Sequence, residues 1–154
     1  MNDRELIEKW LLVFGKDIDK DLIDTYVIGE GAFLWHLFTW GKVSCLKGNA
    51  AKKTFDKLQY TKAIRFYGGY SNRIEGVSLI EKISSKEVKQ DPKSDVYIVA
   101  EDFSWTYVRT HECDLGPYLC IKSEELGYLK FKYAKHWKRR IENFTFLWNN
   151  EFGK

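Results

Sequence analysis

Apolar positions in the first 27 residues recur every three or four places. Leu6, Ile7, Trp10, Leu11 and Phe14 form one stripe, the spacing of an amphipathic helix. Asn2 and Glu5 stand at capping-box distance before it, and Gly15 closes it. A second helix is predicted over 17–27, with Ile18, Leu22, Ile23 and Tyr26 facing inward. AFLWHLFTW is apolar on both alternate faces; its aromatic content and the flanking Gly29 and Gly31 favour a strand or extended segment. KGNAAKKTFDKL predicts a short helix capped by Asn49, with Ala51, Phe55 and Leu58 inward.

The middle of the chain reads as strands instead, with WTYVRTH alternating. AIRFYGG, RIEGVSLIEKI, VYIVA, WTYVRTH and GPYLCIK predict strands. In the second, Ile74, Val77, Leu79 and Ile83 are expected inward. Ser84 and Glu87 have the spacing of a capping box for a brief helix before Pro92. EDFS joins two strands as a turn, and the second of them puts Trp105, Tyr107, Arg109 and His111 on one face. Beyond residue 121, Leu129, Tyr133, Trp137, Ile141, Phe144 and Trp148 step along one helical face. The predicted architecture is a single α+β domain over 1–154: a helical lead-in over 1–28, a mainly antiparallel sheet of about five strands, and a basic amphipathic C-terminal helix over 122–154. The helices cover the sheet.

Composition fits that picture and sharpens it in one respect. Apolar residues are 44% and charged residues 31%, but aromatics reach 16%, so rings should dominate core packing. Two prolines and no low-complexity linker argue against two domains. The net charge of +3 is uneven: residues 122–154 hold 8 Lys/Arg against 4 Asp/Glu, and the remainder is close to balanced. The N-terminus lacks a secretion-signal pattern, and no apolar run approaches the roughly 20 residues of a membrane span. Cys45, Cys113 and Cys120 are an odd number. These features predict a cytoplasmic protein with reduced thiols.

Candidate chemistry concentrates in 96–118. Thr110-His111-Glu112-Cys113 offers an acid/base imidazole beside a carboxylate. Neighbouring strand residues point to opposite faces, so His111 and Glu112 share a cleft only if the strand ends there. His36 is the second candidate partner. Catalytic candidates are therefore His111, Glu112 and His36; binding candidates are Trp35, Trp105, Tyr107, Arg109, Lys135, Lys138 and Arg139. No Cys-x-x-Cys or His-x-x-x-His spacing supports zinc, and the Asp17–Asp24 acids lack the Gly and Glu of a calcium loop. No metal or cofactor is expected. A Cys-His nucleophile through Cys113 or Cys120 has no local motif behind it. Gly68-Gly69 matches no phosphate-binding fingerprint, and turn geometry accounts for it.

Trp35-His36, Cys45-Leu46 with Gly48, and the run from Phe103-Ser104-Trp105-Thr106-Tyr107 through Thr110-His111-Glu112 to Gly116-Pro117-Tyr118 resemble a family of small bacterial proteins, domain of unknown function 4275. The resemblance spans about 30–121. It implies a bacterial source and directs attention to Trp35, His36, Trp105, His111 and Glu112. It carries no activity or cofactor. The expected function is a non-catalytic protein-interaction module of immunity or antitoxin type, whose partner is another protein. The alternatives are a small enzyme using His111 with Glu112 or His36, and nucleic-acid binding through the basic C-terminal helix.

Overall fold

The computed structural model describes residues 1–39, 41–69 and 73–122. The C-terminal helix predicted over 122–154, with Lys135, Lys138 and Arg139, lies outside the described residues.

Helix α1 (Asp3–Phe14) forms as its stripe predicts. Asn2 Oδ1 accepts from Glu5 N–H and Glu5 Oε2 accepts from Asn2 N–H, both at 2.9 Å, so two otherwise unpaired donors are satisfied reciprocally. Gly15 N–H closes the helix on Leu11 O. Helix α2 (Lys20–Tyr26) is shorter than predicted, and Tyr26 is exposed. AFLWHLFTW is not a strand. Leu34–Phe38 form a 3₁₀ turn that buries Leu34, Trp35, Leu37 and Phe38 and leaves His36 toward the surface. Apolar residues on every side suit a buried turn as well as a buried strand, which is why the pattern misled.

Strand β1 (Leu46–Lys47) is a two-residue strand with no sequence signal. Gly48, at φ +61, turns the chain from β1 into α3 (Gly48–Lys57). Asn49 therefore sits inside the first turn and does not cap it. Strands β2 (Lys62–Gly68), β3 (Ile74–Glu81), β4 (Asp95–Ala100), β5 (Trp105–Arg109) and β6 (Tyr118–Ile121) complete one antiparallel sheet of six strands, ordered β1-β6-β5-β4-β2-β3. Ser84 and Glu87 do pair, Ser84 N–H to Glu87 Oε2 at 2.6 Å, but they close a turn and no helix follows. The β4–β5 connection tightens on Phe103 N–H to Ala100 O, with Phe103 itself at φ +58 and its ring buried.

The sheet is covered on both faces. On the first, α1 and the 3₁₀ turn pack over Phe66, Tyr97, Val99, Val108, Tyr118 and Cys120. Trp10 is the centre, with Phe14, Phe38 and Tyr97 rings at 5.5, 5.6 and 5.7 Å, the last two edge-on; each such pair is worth about 0.5–1.5 kcal/mol beyond area burial. Its indole N–H donates to Thr106 Oγ1 at 3.0 Å, and Thr106 donates onward to Ile98 O. On the second face, α3 and the 83–88 segment cover Ala63, Val96, Ile98, Trp105, Tyr107 and Leu119. The predicted alternation of β5 holds for Trp105 and Tyr107 against Thr106 and Val108.

Two inward assignments on β3 fail. Val77 is 41% and Leu79 53% exposed. Gly76, at φ +63, bulges the strand and shifts the β2–β3 register between Arg65 and Tyr67. Strand β3 is also the sheet's outer strand.

Candidate functional site

Strand β4 opens with Asp95, a wholly buried carboxyl on the α1 face. In register across β2 it faces Gly68, which has no side chain. Strand β5 ends at Arg109, so the chain is free to turn, and His111 swings onto the same side as Asp95. The expected sharing of a face by His111 with Trp105 and Tyr107 is thus corrected: the strand stops two residues earlier. Asp95 Oδ1 accepts both the His111 backbone N–H at 2.7 Å and the ring Nδ1–H at 2.8 Å. With Nδ1 as donor, the neutral ring carries its lone pair on Nε2. That atom is 3.7 Å from Glu112 Oε1, on side chains 21% and 49% exposed. The condition set by strand geometry for His111 and Glu112 to meet is therefore satisfied.

Asp95 is held above its ordinary carboxyl range, first by burial; the His111 backbone N–H, its ring N–H, its charge and then the Trp35 indole oppose that rise. The indole acts on the carboxyl as a donor, yet neither Trp35 Nε1 nor Asp95 Oδ2 closes a well-formed hydrogen bond. Trp35 backbone N–H donates to Tyr97 Oη at 3.1 Å, which fixes the 3₁₀ turn onto the sheet. Gly68 makes this possible, since a Cβ there would lie 2.6 Å from Tyr97 Cε2. Close approach to that ring, beyond turn geometry, is what the position requires.

The surrounding wall is aromatic. Phe33 lies 4.7 Å from the His111 ring and 5.6 Å from the His36 ring. Trp35 stacks between Phe33 and Tyr118 at 6.1 and 6.4 Å. His36 Nδ1 lies 3.1 Å from Tyr26 O, and since that carbonyl only accepts, His36 also presents Nε2 as its lone pair. The loop after β5 is pinned as well: Gln90 Nε2 donates to His111 O at 3.0 Å, and the Thr110 hydroxyl reaches Glu112 O and Leu115 O. Near Tyr118, burial raises the Cys45 thiol although Lys47 draws it down, which leaves it a weak nucleophile at neutral pH.

Of the predicted residues, Trp35, His36, His111 and Glu112 come together here. Trp105, Tyr107 and Arg109 lie on the opposite face, Trp105 packed on Phe55 and Tyr60 at 5.8 and 4.9 Å. Asp95 is the member that sequence reasoning missed; its signal is a single acid opening an otherwise apolar strand. Among the described residues, no group of three His, Cys, Asp or Glu side chains could hold a metal ion, and no helix is long and apolar enough to cross a membrane. Cys45, Cys113 and Cys120 are unpaired.

The site is thus a carboxyl-oriented imidazole on the end of a two-faced antiparallel sheet in an α+β protein. The chain belongs to the family described as Domain of unknown function (DUF4275), whose model matches residues 5–119. The match reaches back through α1, further than the resemblance over 30–121, and stops before the basic segment. No curated protein and no solved structure matches the chain.

Proposed function

We propose that the protein carries a proton-transfer site in which His111 is the acid/base and Asp95 its orienting carboxylate. One observation carries the reading: a single oxygen of a wholly buried carboxyl receives both the backbone and ring N–H of a histidine whose side chain is about one-fifth exposed. This locks the tautomer and aims Nε2 outward, the arrangement that general acid–base chemistry needs. Glu112 stabilises the imidazolium when Nε2 takes a proton, and Phe33 forms an apolar wall beside the ring. The bacterial source and cytoplasmic location belong to the same proposal, the location supported by the three unpaired thiols. The test is turnover of generic ester, amide and phosphodiester substrates by wild type, His111→Gln and Asp95→Asn. Turnover lost by about 10²–10⁴-fold in His111→Gln supports the role. Activity on no class above the His111→Gln background sinks it.

A second reading, a protein-interaction module, has its own support in Val77 and Leu79, two large apolar side chains exposed on the outer strand β3. An outer strand with apolar side chains suits strand addition by a partner. Affinity capture from a lysate, repeated with Val77→Lys and Leu79→Lys, tests it: a retained partner must be lost with either change.

A further inference from the structure

Five buried side-chain polar atoms among the described residues lack a hydrogen-bond partner: Trp35 Nε1, Asp95 Oδ2, Arg65 Nε, Ser78 Oγ and Tyr107 Oη. Such atoms call for a cause, because each forfeits its bond to water. The first two belong to the His111 site. The other three lie together on the opposite face. Strand pairing sets Ser78 against Arg65, Arg65 against Ile98, and Ile98 against Tyr107, so the three orphans occupy one row across β3, β2 and β5. Arg109 stands on the same face, two residues past Tyr107, where β5 pairs with Val96 and Val96 with Tyr67.

One cation, Arg65, therefore lies in that row and a second, Arg109, beside it. Arg65 lies over the Tyr67 ring at 5.5 Å, which steadies its stem. Arg109 sits close enough to the Tyr107 hydroxyl to pull its pKa down against burial, while the Asp56 charge pushes it up. Neither guanidinium has a carboxylate within salt-bridge distance among the described residues. The acids nearest the row have other roles: Asp56, whose charge reaches the Tyr107 hydroxyl, is held by Ser85 N–H and Oγ–H, and Glu75 is exposed at the strand end opposite Tyr67. Arg65 and Arg109 are two strands and two residues apart, a Cα separation of about 12 Å from sheet geometry. Two arginine forks from that span can close on one anion.

We propose that this row is a binding site for a small phosphate-class anion, held by Arg65 and Arg109 with the Tyr107 and Ser78 hydroxyls as further donors. Two forks and two hydroxyls outnumber the acceptors of one carboxylate. They suit a phosphoryl group, with its three strong acceptor oxygens and nearly two negative charges. The site is independent of the His111 reading, since it lies on the other face of the sheet.

The test is calorimetric titration of the full chain with inorganic pyrophosphate, and with citrate in parallel. Wild type should bind pyrophosphate more tightly than citrate. Arg65→Gln and Arg109→Gln should each weaken pyrophosphate binding by about ten- to a hundredfold, the range for a lost bond to a charged group. Arg65→Lys, which keeps the charge and loses the fork, should fall between. His111→Gln should bind as wild type does. Melting in buffer confirms that each variant folds. The proposal is overturned if pyrophosphate does not bind, or if Arg65→Gln and Arg109→Gln bind it unchanged. Tighter binding of citrate through the same arginines would overturn the phosphate assignment.

Discussion

Asp95 shows how one residue can stabilise a local geometry and still weigh against the fold. Its folded pKa is raised above 3.8, with burial the leading cause. A raised value means that the fold favours the protonated form. The favourable contribution is therefore complete below 3.8 and is lost as pH rises through the folded value. Urea midpoints of wild type and Asp95→Asn should accordingly diverge against wild type as pH climbs through the acid range, then run parallel. A gap that widens in favour of wild type would mean that the His111 donors outweigh burial. Tyr107 gives a second titration at the other end of the scale. Burial lifts it to about 12 from 10.0, so its contribution is present below pH 10 and disappears between there and pH 12. Wild type should lose on the order of 2–3 kcal/mol over that interval relative to Tyr107→Phe. Near neutral pH the same change should be neutral or stabilising, because it removes a buried hydroxyl without a partner. Urea midpoints at pH 9 and pH 11.5 check both statements.

Elements were legible where one local rule acts alone. Helix α1 follows from its stripe and its Asn2–Glu5 box, β4 from its unbroken apolar run and β5 from alternation. Legibility failed where a neighbour decides. The Leu34–Phe38 turn is buried by α1 and the sheet, and nothing in AFLWHLFTW encodes that. The two residues of β1 are a strand only because β6 lies beside them. Most of the candidate site was readable: His111, Glu112, Trp35 and His36 attract notice by type. Asp95 did not, because its role depends on the register that places it against Gly68 and within reach of a residue sixteen positions later. Gly68 itself reads as a strand end, whereas its task is to admit the Tyr97 ring, which stacks on Phe66 at 4.8 Å. Gly68→Ala should therefore destabilise by about 1–3 kcal/mol, the usual penalty for overpacking. It should also loosen the Trp35–Tyr97 contact, visible as faster amide exchange at Trp35. An unchanged melting temperature with unchanged exchange would contradict the close approach.

At the scale of the whole molecule, the sheet divides its tasks by face and by edge. Val99 and Leu79 belong to one row, joined through Ile64, yet Val99 is sealed and Leu79 is open. Leu79→Lys should change stability by no more than about 0.5 kcal/mol, as surface substitutions do. Val99→Lys should prevent folding at 25 °C, since it buries an unpaired charge. Thermal melts of the two variants decide whether cover ends before Leu79. The two clusters of unpartnered polar atoms then sit back to back, an acid–imidazole pair on one side and arginines on the other, separated by the thickness of the sheet.

The strand order has a consequence for how the chain is made. The hairpins β2–β3 and β4–β5 join neighbours in sequence and can assemble as they leave the ribosome. Strand β1 cannot: Leu46 waits for Leu119, so nearly the whole domain must be synthesised before that border is sealed. Long-range closure of this kind slows folding, and until Tyr118–Ile121 emerges the β5 border, with its apolar side chains, stays open to any other extended chain nearby. A pause in translation that holds residues 118–121 back while β5 is already exposed would therefore leave the nascent protein at its most adhesive.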